Sequence, residues 1–203
     1  MSGKIDRRQL KTRKAILDAC FSLIQKKDIQ QVTINEIAEQ ANINRGTFYL
    51  HFEDKYDMMN NFENEMIGKI EEVIVKNIPK EQFNQQFIPS RYDTLVQIFK
   101  CYEENKELMQ LLLKSSYNSS FQEKLREKLK VILDDEILDR LKGLHYNIPT
   151  DLFIIMFTSV SLSIAEYSYQ SKSPVNIEQL AELIFKVMLQ GSVKTLGLLK
   201  NGD

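Results

Sequence analysis

Between Arg8 and Lys26 the apolar residues Ile16, Ala19, Cys20, Leu23 and Ile24 recur at steps of three and four, which predicts a helix with one apolar face. Thr33-Ile34-Asn35-Glu36 follows as an S/T-x-x-E capping box, with the Thr33 hydroxyl placed to accept from the Glu36 amide. A short helix therefore starts there, with Ile34, Ile37, Ala38 and Ala41 inward. Asn42 tolerates the left-handed conformation that ends a helix, and Ile43 can anchor the turn. Asn44 is an N-cap for a third helix, Arg45 to Leu50, on which Phe48 and then His51 and Phe52 share one side.

Asp54 reads as the N-cap of a long fourth helix to about Ile78, apolar along Met58, Met59, Phe62, Met66, Ile70 and Val73. Pro79, Pro89, Pro149, Pro174 and the Asn118-Ser119-Ser120 run then divide the chain into helices near 91–104, 105–116, 120–143, 150–170 and 176–198. The segment from Asp151 to Tyr169 is apolar almost all round, so it needs cover on more than one side. With the wide stripe Leu180, Leu183, Ile184, Val187 and Met188, it either fills a thick monomer core or, the preferred reading, forms an intersubunit helix bundle around Phe153, Val160, Ile164, Leu180, Ile184, Val187 and Met188. No alternating strand pattern of useful length appears. The expectation is an all-α protein, with a three-helix head over 1–53 and a larger helical body over 54–203.

Composition agrees, since seven Gly and four Pro in 203 residues are too few for a turn-rich β protein. Cys20 and Cys101 are the only cysteines and form no CxxC, which suggests neither a disulfide framework nor a thiolate zinc site. The weakly charged run Leu152 to Ala165 has 14 residues against the roughly 20 that span a bilayer, so no membrane anchor is expected. No signal-peptide apolar run follows the basic N-terminus, and a cytoplasmic protein is expected. The net charge of −1 conceals an asymmetry. Residues 1–52 hold nine Lys/Arg against five Asp/Glu, whereas the remainder holds 18 against 23. A basic head on an acidic body suits a polyanion, although charge alone equally describes a solvated helix face.

Helix, tight turn and helix over residues 34–50 is the spacing of a helix-turn-helix, whose second helix enters the DNA major groove. The face that Phe48 leaves outward holds Arg45, Gly46, Thr47, Tyr49 and Leu50, and no acid lies between Glu39 and Glu53 to repel phosphate. Gly46 costs a helix roughly 1 kcal/mol relative to Ala, which points to close backbone approach of a ligand or to tolerance near a helix start.

Thr33 to Ala38, then Ala41-Asn42-Ile43-Asn44-Arg45-Gly46-Thr47-Phe48-Tyr49-Leu50-His51-Phe52, then Asp54 to Met58, resembles the TetR/AcrR family of bacterial transcriptional regulators across residues 10 to 60. Beyond them the likeness is in length and helix order, and the tail is similar to a subgroup that includes activators of dihydroxyacetone metabolism. Asn42 stands where the family commonly has Gly, and Tyr167 where the subgroup often has Trp. The resemblance implies a homodimer whose third helices enter successive major grooves of a palindromic operator. It makes Arg45 the base reader, through a bidentate fork on guanine, and Thr47 a partner for a thymine methyl or a base edge. Tyr49, Thr33 and Lys55 would meet phosphates, while Lys4, Arg7 and Arg8 would reach the backbone or minor groove. Asn44, Gly46 and His51 complete the DNA set. Other roles stay open at this stage: Tyr49 as a plain surface aromatic, Thr33 as a cap alone, and His51 as core-edge packing.

The family likeness also implies an effector pocket in the body, coupled to the heads through the fourth helix. Aromatic and Met side chains that could line it are Phe99, Tyr102, Met109, Tyr117, Phe121, Phe153, Met156, Phe157 and Tyr167, a largely apolar set that suits a lipophilic or mixed-polarity molecule, with ordinary core packing as the preferred reading for most of them. No G-x-S-x-G, P-loop, H-E-x-x-H or G-x-G-x-x-G is present, and His51 and His145 stand apart from any metal-ligand spacing. No enzyme, cofactor or metal is expected. The sequence thus reads as a ligand-responsive repressor, with an activator of the same fold, or a dimeric helical binding module that does not read DNA specifically, as the alternatives.

Overall fold

A computed structural model of the chain describes residues 7–77, 87–114, 118–133, 150–171 and 176–186. Its elements are α1 (Arg7–Ile24), a 3-10 turn (Ile29–Gln31), α2 (Ile34–Gln40), α3 (Arg45–Tyr49), α4 (Lys55–Asn77), α5 (Phe87–Glu104), α6 (Lys106–Lys114), α7 (Asn118–Leu133), α8 (Thr150–Gln170) and α9 (Ile177–Ile184). No strand occurs among the described residues, and the fold is all-α.

Local chemistry accounts for most helix boundaries. Asp54 caps α4 by accepting from the Asp57 amide at 2.7 Å, and Asn176 caps α9 by accepting from the Glu178 and Gln179 amides at 2.8 and 3.3 Å. Pro89 does not delay α5 to residue 91 as its position in the sequence suggests. The helix begins at Phe87 and takes the proline in its first turn, where a missing N–H leaves no hydrogen bond unmade. The 3-10 turn at Ile29–Gln31 is an element that periodicity does not signal. Asp28 caps it through the Gln30 amide at 2.7 Å, and Ile29 is fully buried.

The described residues form two compact units. One comprises residues within 1–66 and 105–121, with α1 to α3, the start of α4, α6 and the start of α7. Its centre is Ile16, Ile37, Phe48, Phe52, Met59 and Phe62, and α6, which packs on α1, adds the buried Leu108, Leu111 and Leu112. The Cys20 thiol donates to the Met58 sulfur at 3.6 Å, and burial pushes its pKa up to about 12, leaving an inert small hydrophobe. The other unit comprises residues within 67–104 and 122–203, and α9 packs there on α5 and α8. In it the Tyr169 hydroxyl donates to the Tyr102 carbonyl at 3.1 Å, and burial raises the pKa of both phenols.

On α8 the buried stripe is Ile154, Thr158, Ser161, Leu162 and Ala165. The two hydroxyls are accommodated by donating to the Ile154 and Phe157 carbonyls, at 2.7 Å each. Leu152, Ile155 and Met156, each 46% exposed, lie on the face away from that stripe. Among the described residues α8 is thus buried along one side and exposed along the other.

Candidate DNA-reading head

The turn between α2 and α3 is built by backbone chemistry. Asn42 has φ 53°, the Asn42 amide donates to the Glu39 carbonyl at 3.0 Å, and the Ile43 amide donates to the Ala38 carbonyl at 2.9 Å. These two bonds form a Schellman motif, and the left-handed residue redirects the chain while Ile43 half-buries behind it. Asn44 occupies the N-cap position of α3 with an extended backbone and no side-chain cap bond. Its carbonyl accepts from the Thr47 amide at 2.8 Å.

Aromatic packing sets which face of α3 looks outward. Phe48 is fully buried and lies 5.6 Å from the Phe52 ring, which lies 5.7 Å from Phe62 on α4. The Arg13 guanidinium of α1 sits 4.8 Å over Phe52 and 3.8 Å from the Glu65 carboxylate, so this cation braces the head. With Phe48 held inward, Arg45, Gly46, Tyr49 and Leu50 are exposed and Thr47 is half-buried. The Arg45 Nε and Nη2 both donate to the Tyr49 hydroxyl, at 3.2 and 2.9 Å, and the guanidinium stands 5.4 Å over the Tyr49 ring. A Cβ added at Gly46 would meet nothing within 4 Å, so no contact inside the protein demands glycine there.

Two residues expected at phosphates are engaged within the protein. Thr33 is the N-cap of α2: its hydroxyl accepts from the Glu36 amide at 3.3 Å and donates to a Glu36 carboxylate oxygen at 2.9 Å, and that same oxygen accepts from the Thr33 amide. Lys27 caps the cluster at 2.6 Å from the other Glu36 oxygen. These bonds, the Lys27 ammonium foremost, hold the Glu36 carboxyl down at about 2. Lys55 is the second case. Its ammonium donates to the Gln30 and Val32 carbonyls at 2.7 and 2.9 Å, which ties the start of α4 to the chain entering α2. A phosphate contact would draw on the donor capacity that remains.

His51 is half-buried beside Phe52, with ring centroids 6.3 Å apart. Desolvation, and after it the Arg13 charge, lowers its pKa from the ordinary imidazole value, which favours the neutral ring. Arg7 and Arg8 are exposed in the first turn of α1. Two exposed neighbours of the head were not assigned to DNA from the sequence: Leu50, 84% exposed, and Tyr56, 65% exposed. Leu50 belongs to the outward face that the Phe48 pattern predicts, whereas the spacing of Tyr56 carries no such signal.

The other expected sites are dispersed. Phe99 and Tyr102 are buried edge to face at 5.6 Å in the second unit, while Met109 and Phe121 are fully buried in the first. Phe157 is half-buried, and Met156 and Tyr167 are exposed on α8. Among the interface candidates, Val160, Ile164 and Leu180 are half-buried and Ile184 is inside the protomer at 1% exposure. Lys4, Tyr117, Val187, Met188 and the side chain of Phe153 lie outside the described residues. Among the described residues no three of His, Cys, Asp or Glu gather as a metal site, and no helix is long and apolar enough to cross a membrane.

A helix-turn-helix with a basic, acid-free outer face is the geometry of a DNA-reading head, and two family models match accordingly. That of "Bacterial regulatory proteins, tetR family" matches residues 16–61, and that of "Transcriptional regulator C-terminal region" matches residues 89–190. The chain belongs to the TetR family. Over 44 residues it is 41% identical to the uncharacterized HTH-type transcriptional regulator YxbF of Bacillus subtilis (strain 168), covering 22% of this chain and 12% of that protein. Over 47 residues it is 45% identical to the HTH-type transcriptional repressor BepR of Brucella suis biovar 1 (strain 1330), covering 23% of this chain and 22% of that protein. The chain therefore matches less than a quarter of either relative's length. In fold it is similar to the transcriptional regulator FadR from Bacillus subtilis, solved in complex with stearoyl-CoA, with TM-score 0.65 and 20% identity over 88% of this chain and 98% of that one. The TetR family is one of transcription regulators, not enzymes.

Proposed function

We propose that this TetR-family regulator is a ligand-responsive repressor that binds a palindromic operator as a homodimer. The observation that carries the reading is the outward face of α3, where Arg45, Gly46, Thr47 and Tyr49 are presented by a turn and an aromatic stack that leave the helix one orientation. In this reading residues 1–53 meet DNA and 54–203 hold the effector and the second subunit. Arg45 reads a guanine, Thr47 a base edge, and Tyr49, with Asn44 and His51 beside it, the flanking backbone. Arg7 and Arg8, together with Lys4, add sequence-independent attraction. The repressor sign follows relatives such as BepR.

Dimerisation is supported by the exposed apolar residues of α8, Leu152, Ile155 and Met156, and by Leu183 of α9, 53% exposed. An effector with a large apolar part is supported by the FadR structure, whose own ligand is stearoyl-CoA.

The test is fluorescence-anisotropy titration of the purified protein with DNA from upstream of its own gene and with a scrambled duplex, at two salt concentrations. Tight, sequence-dependent binding at two protomers per site is expected. Weak binding, equal on both duplexes and abolished by salt, would defeat the proposal.

A further inference from the structure

Helical period places two residues at the centre of the outward face of α3, and neither offers a hydrogen-bonding side chain. Gly46 precedes Phe48 by two positions and Leu50 follows it by two, so each stands about 160° round the helix from the buried ring. The turn that joins them is closed, since the Leu50 amide donates to the Gly46 carbonyl at 3.2 Å. Arg45 and Tyr49, bonded to each other, lie to one side of this pair, and the half-buried Thr47 lies to the other.

Leu50 is 84% exposed, and among the described residues no other large apolar side chain is as open to solvent. A lone exposed leucine needs no explanation on most surfaces. This one occupies the middle of a face otherwise made of Arg, Thr and Tyr, with no acid between Glu39 and Glu53. Gly46 beside it is exposed, and a Cβ built there meets nothing within 4 Å. Alanine is the better helix former, so nothing inside the protein asks for glycine at this position. The two residues together make a notch of bare backbone with an apolar wall.

The chemistry of the major groove fixes what such a notch can take. Base edges there present nitrogen and oxygen donors and acceptors and a single apolar group, the C5 methyl of thymine. A leucine side chain gains when that methyl covers it, whereas against a polar edge it displaces water without replacing the lost hydrogen bonds. Thr47 also carries a methyl, but it stands off the centre of the face and is half-buried.

We propose that Leu50 is a specificity-determining residue that packs on the C5 methyl of one thymine in each half-site, with the bare Gly46 backbone giving the base edge room to approach. This deepens the DNA-reading assignment above and rests on it, adding a base identity that Arg45 does not supply.

The experiment is anisotropy titration of the full chain with the operator duplex from upstream of its gene, and with duplexes in which each symmetry-related pair of thymines is replaced in turn by deoxyuridine. That replacement removes the methyl and leaves every hydrogen-bonding group in place. The set is repeated on Leu50→Ala, Leu50→Asn and Gly46→Ala. At one symmetric pair, deoxyuridine is expected to weaken binding by the unaltered protein about fifteenfold, roughly fourfold for each methyl removed from contact. Leu50→Ala and Leu50→Asn should bind the thymine duplex more weakly and no longer distinguish it from deoxyuridine at that pair, with melting temperatures unchanged. Gly46→Ala should bind more weakly without any fall in melting temperature. Deoxyuridine without effect at every position, an undiminished methyl response in both Leu50 variants, or full affinity in Gly46→Ala overturns the proposal. A melting temperature lowered in Leu50→Ala overturns it too, because the leucine would then pack within the protein. Sequence-dependent binding that is indifferent to deoxyuridine removes the methyl contact alone, whereas the absence of sequence-dependent binding removes the DNA reading and this proposal with it.

Discussion

Arg45 and Tyr49, one helical turn apart on the exposed face of α3, are locked together: both Nε and Nη2 of the guanidinium donate to the phenolic oxygen, at 3.2 and 2.9 Å. The tyrosine thereby orients the arginine before any ligand arrives, and the unused Nη1 edge is the one left for an acceptor.

Arg45→Ala is expected to weaken operator binding by about 1–3 kcal/mol and to relax base preference at one position of each half-site. Tyr49→Phe keeps the guanidinium but frees it, so a smaller loss of affinity with a comparable loss of discrimination is expected. Anisotropy titrations against single-base operator variants measure both. Full affinity and full base preference in Arg45→Ala would end the assignment of α3 as the reading helix.

Lys55 ties the head together from inside. Lys55→Met, which keeps the stem and removes the donors, leaves two carbonyls without their charged partner and is expected to cost about 1–3 kcal/mol of stability. A urea midpoint unchanged from the unaltered protein would show that the clamp contributes nothing in solution.

Glu36 makes the head acid-sensitive. Its folded pKa of about 2 lies below the ordinary 4.5, so the stability it contributes is fully present above pH 4.5 and is lost as pH falls from there towards 2. Glu36→Gln should therefore be less stable than the unaltered protein at neutral pH, and the gap should close on acidification through that window. Melting curves from pH 6 to pH 3 read it directly, and a gap independent of pH would refute the linkage.

At Asn42 the φ of 53° can be tested by backbone preference alone. Asn42→Gly is expected to be neutral or slightly stabilising, while Asn42→Val, β-branched in a left-handed position, should cost about 1–2 kcal/mol. Equal denaturation midpoints for the two variants would mean that the turn relaxes to another conformation.

The features that the chain announces in advance are those whose partners are near in sequence. The Thr33–Glu36 box spans three residues, the Asn42 turn closes through Ala38 and Glu39, and Phe48 and Phe52 share a face by helical period alone. Pattern could therefore place the helix-turn-helix and its outward face, including Arg45, without knowledge of anything distant. Lys55 was legible only as a cation at a helix start, because the two carbonyls that hold it are 23 and 25 positions away.

The same division runs through the body. That α8 is apolar and helical is written in its composition, but periodicity cannot say which side of an almost uniformly apolar helix faces the core. Packing inside the second unit buries Ile154 and Leu162 and leaves Ile155 and Met156 outward. Likewise Phe99, Met109 and Phe121 look like one aromatic and Met-rich set in the sequence, yet Phe99 is buried in one unit and the other two in the other. Helix formation depends on interactions within a turn or two, so it is carried by local residue order. Which group a cation meets, the Asp151 carboxylate for Lys130 and the Thr158 and Ser159 hydroxyls for Arg126, depends on segments brought together only when the helices dock, and that is a property of the folded chain.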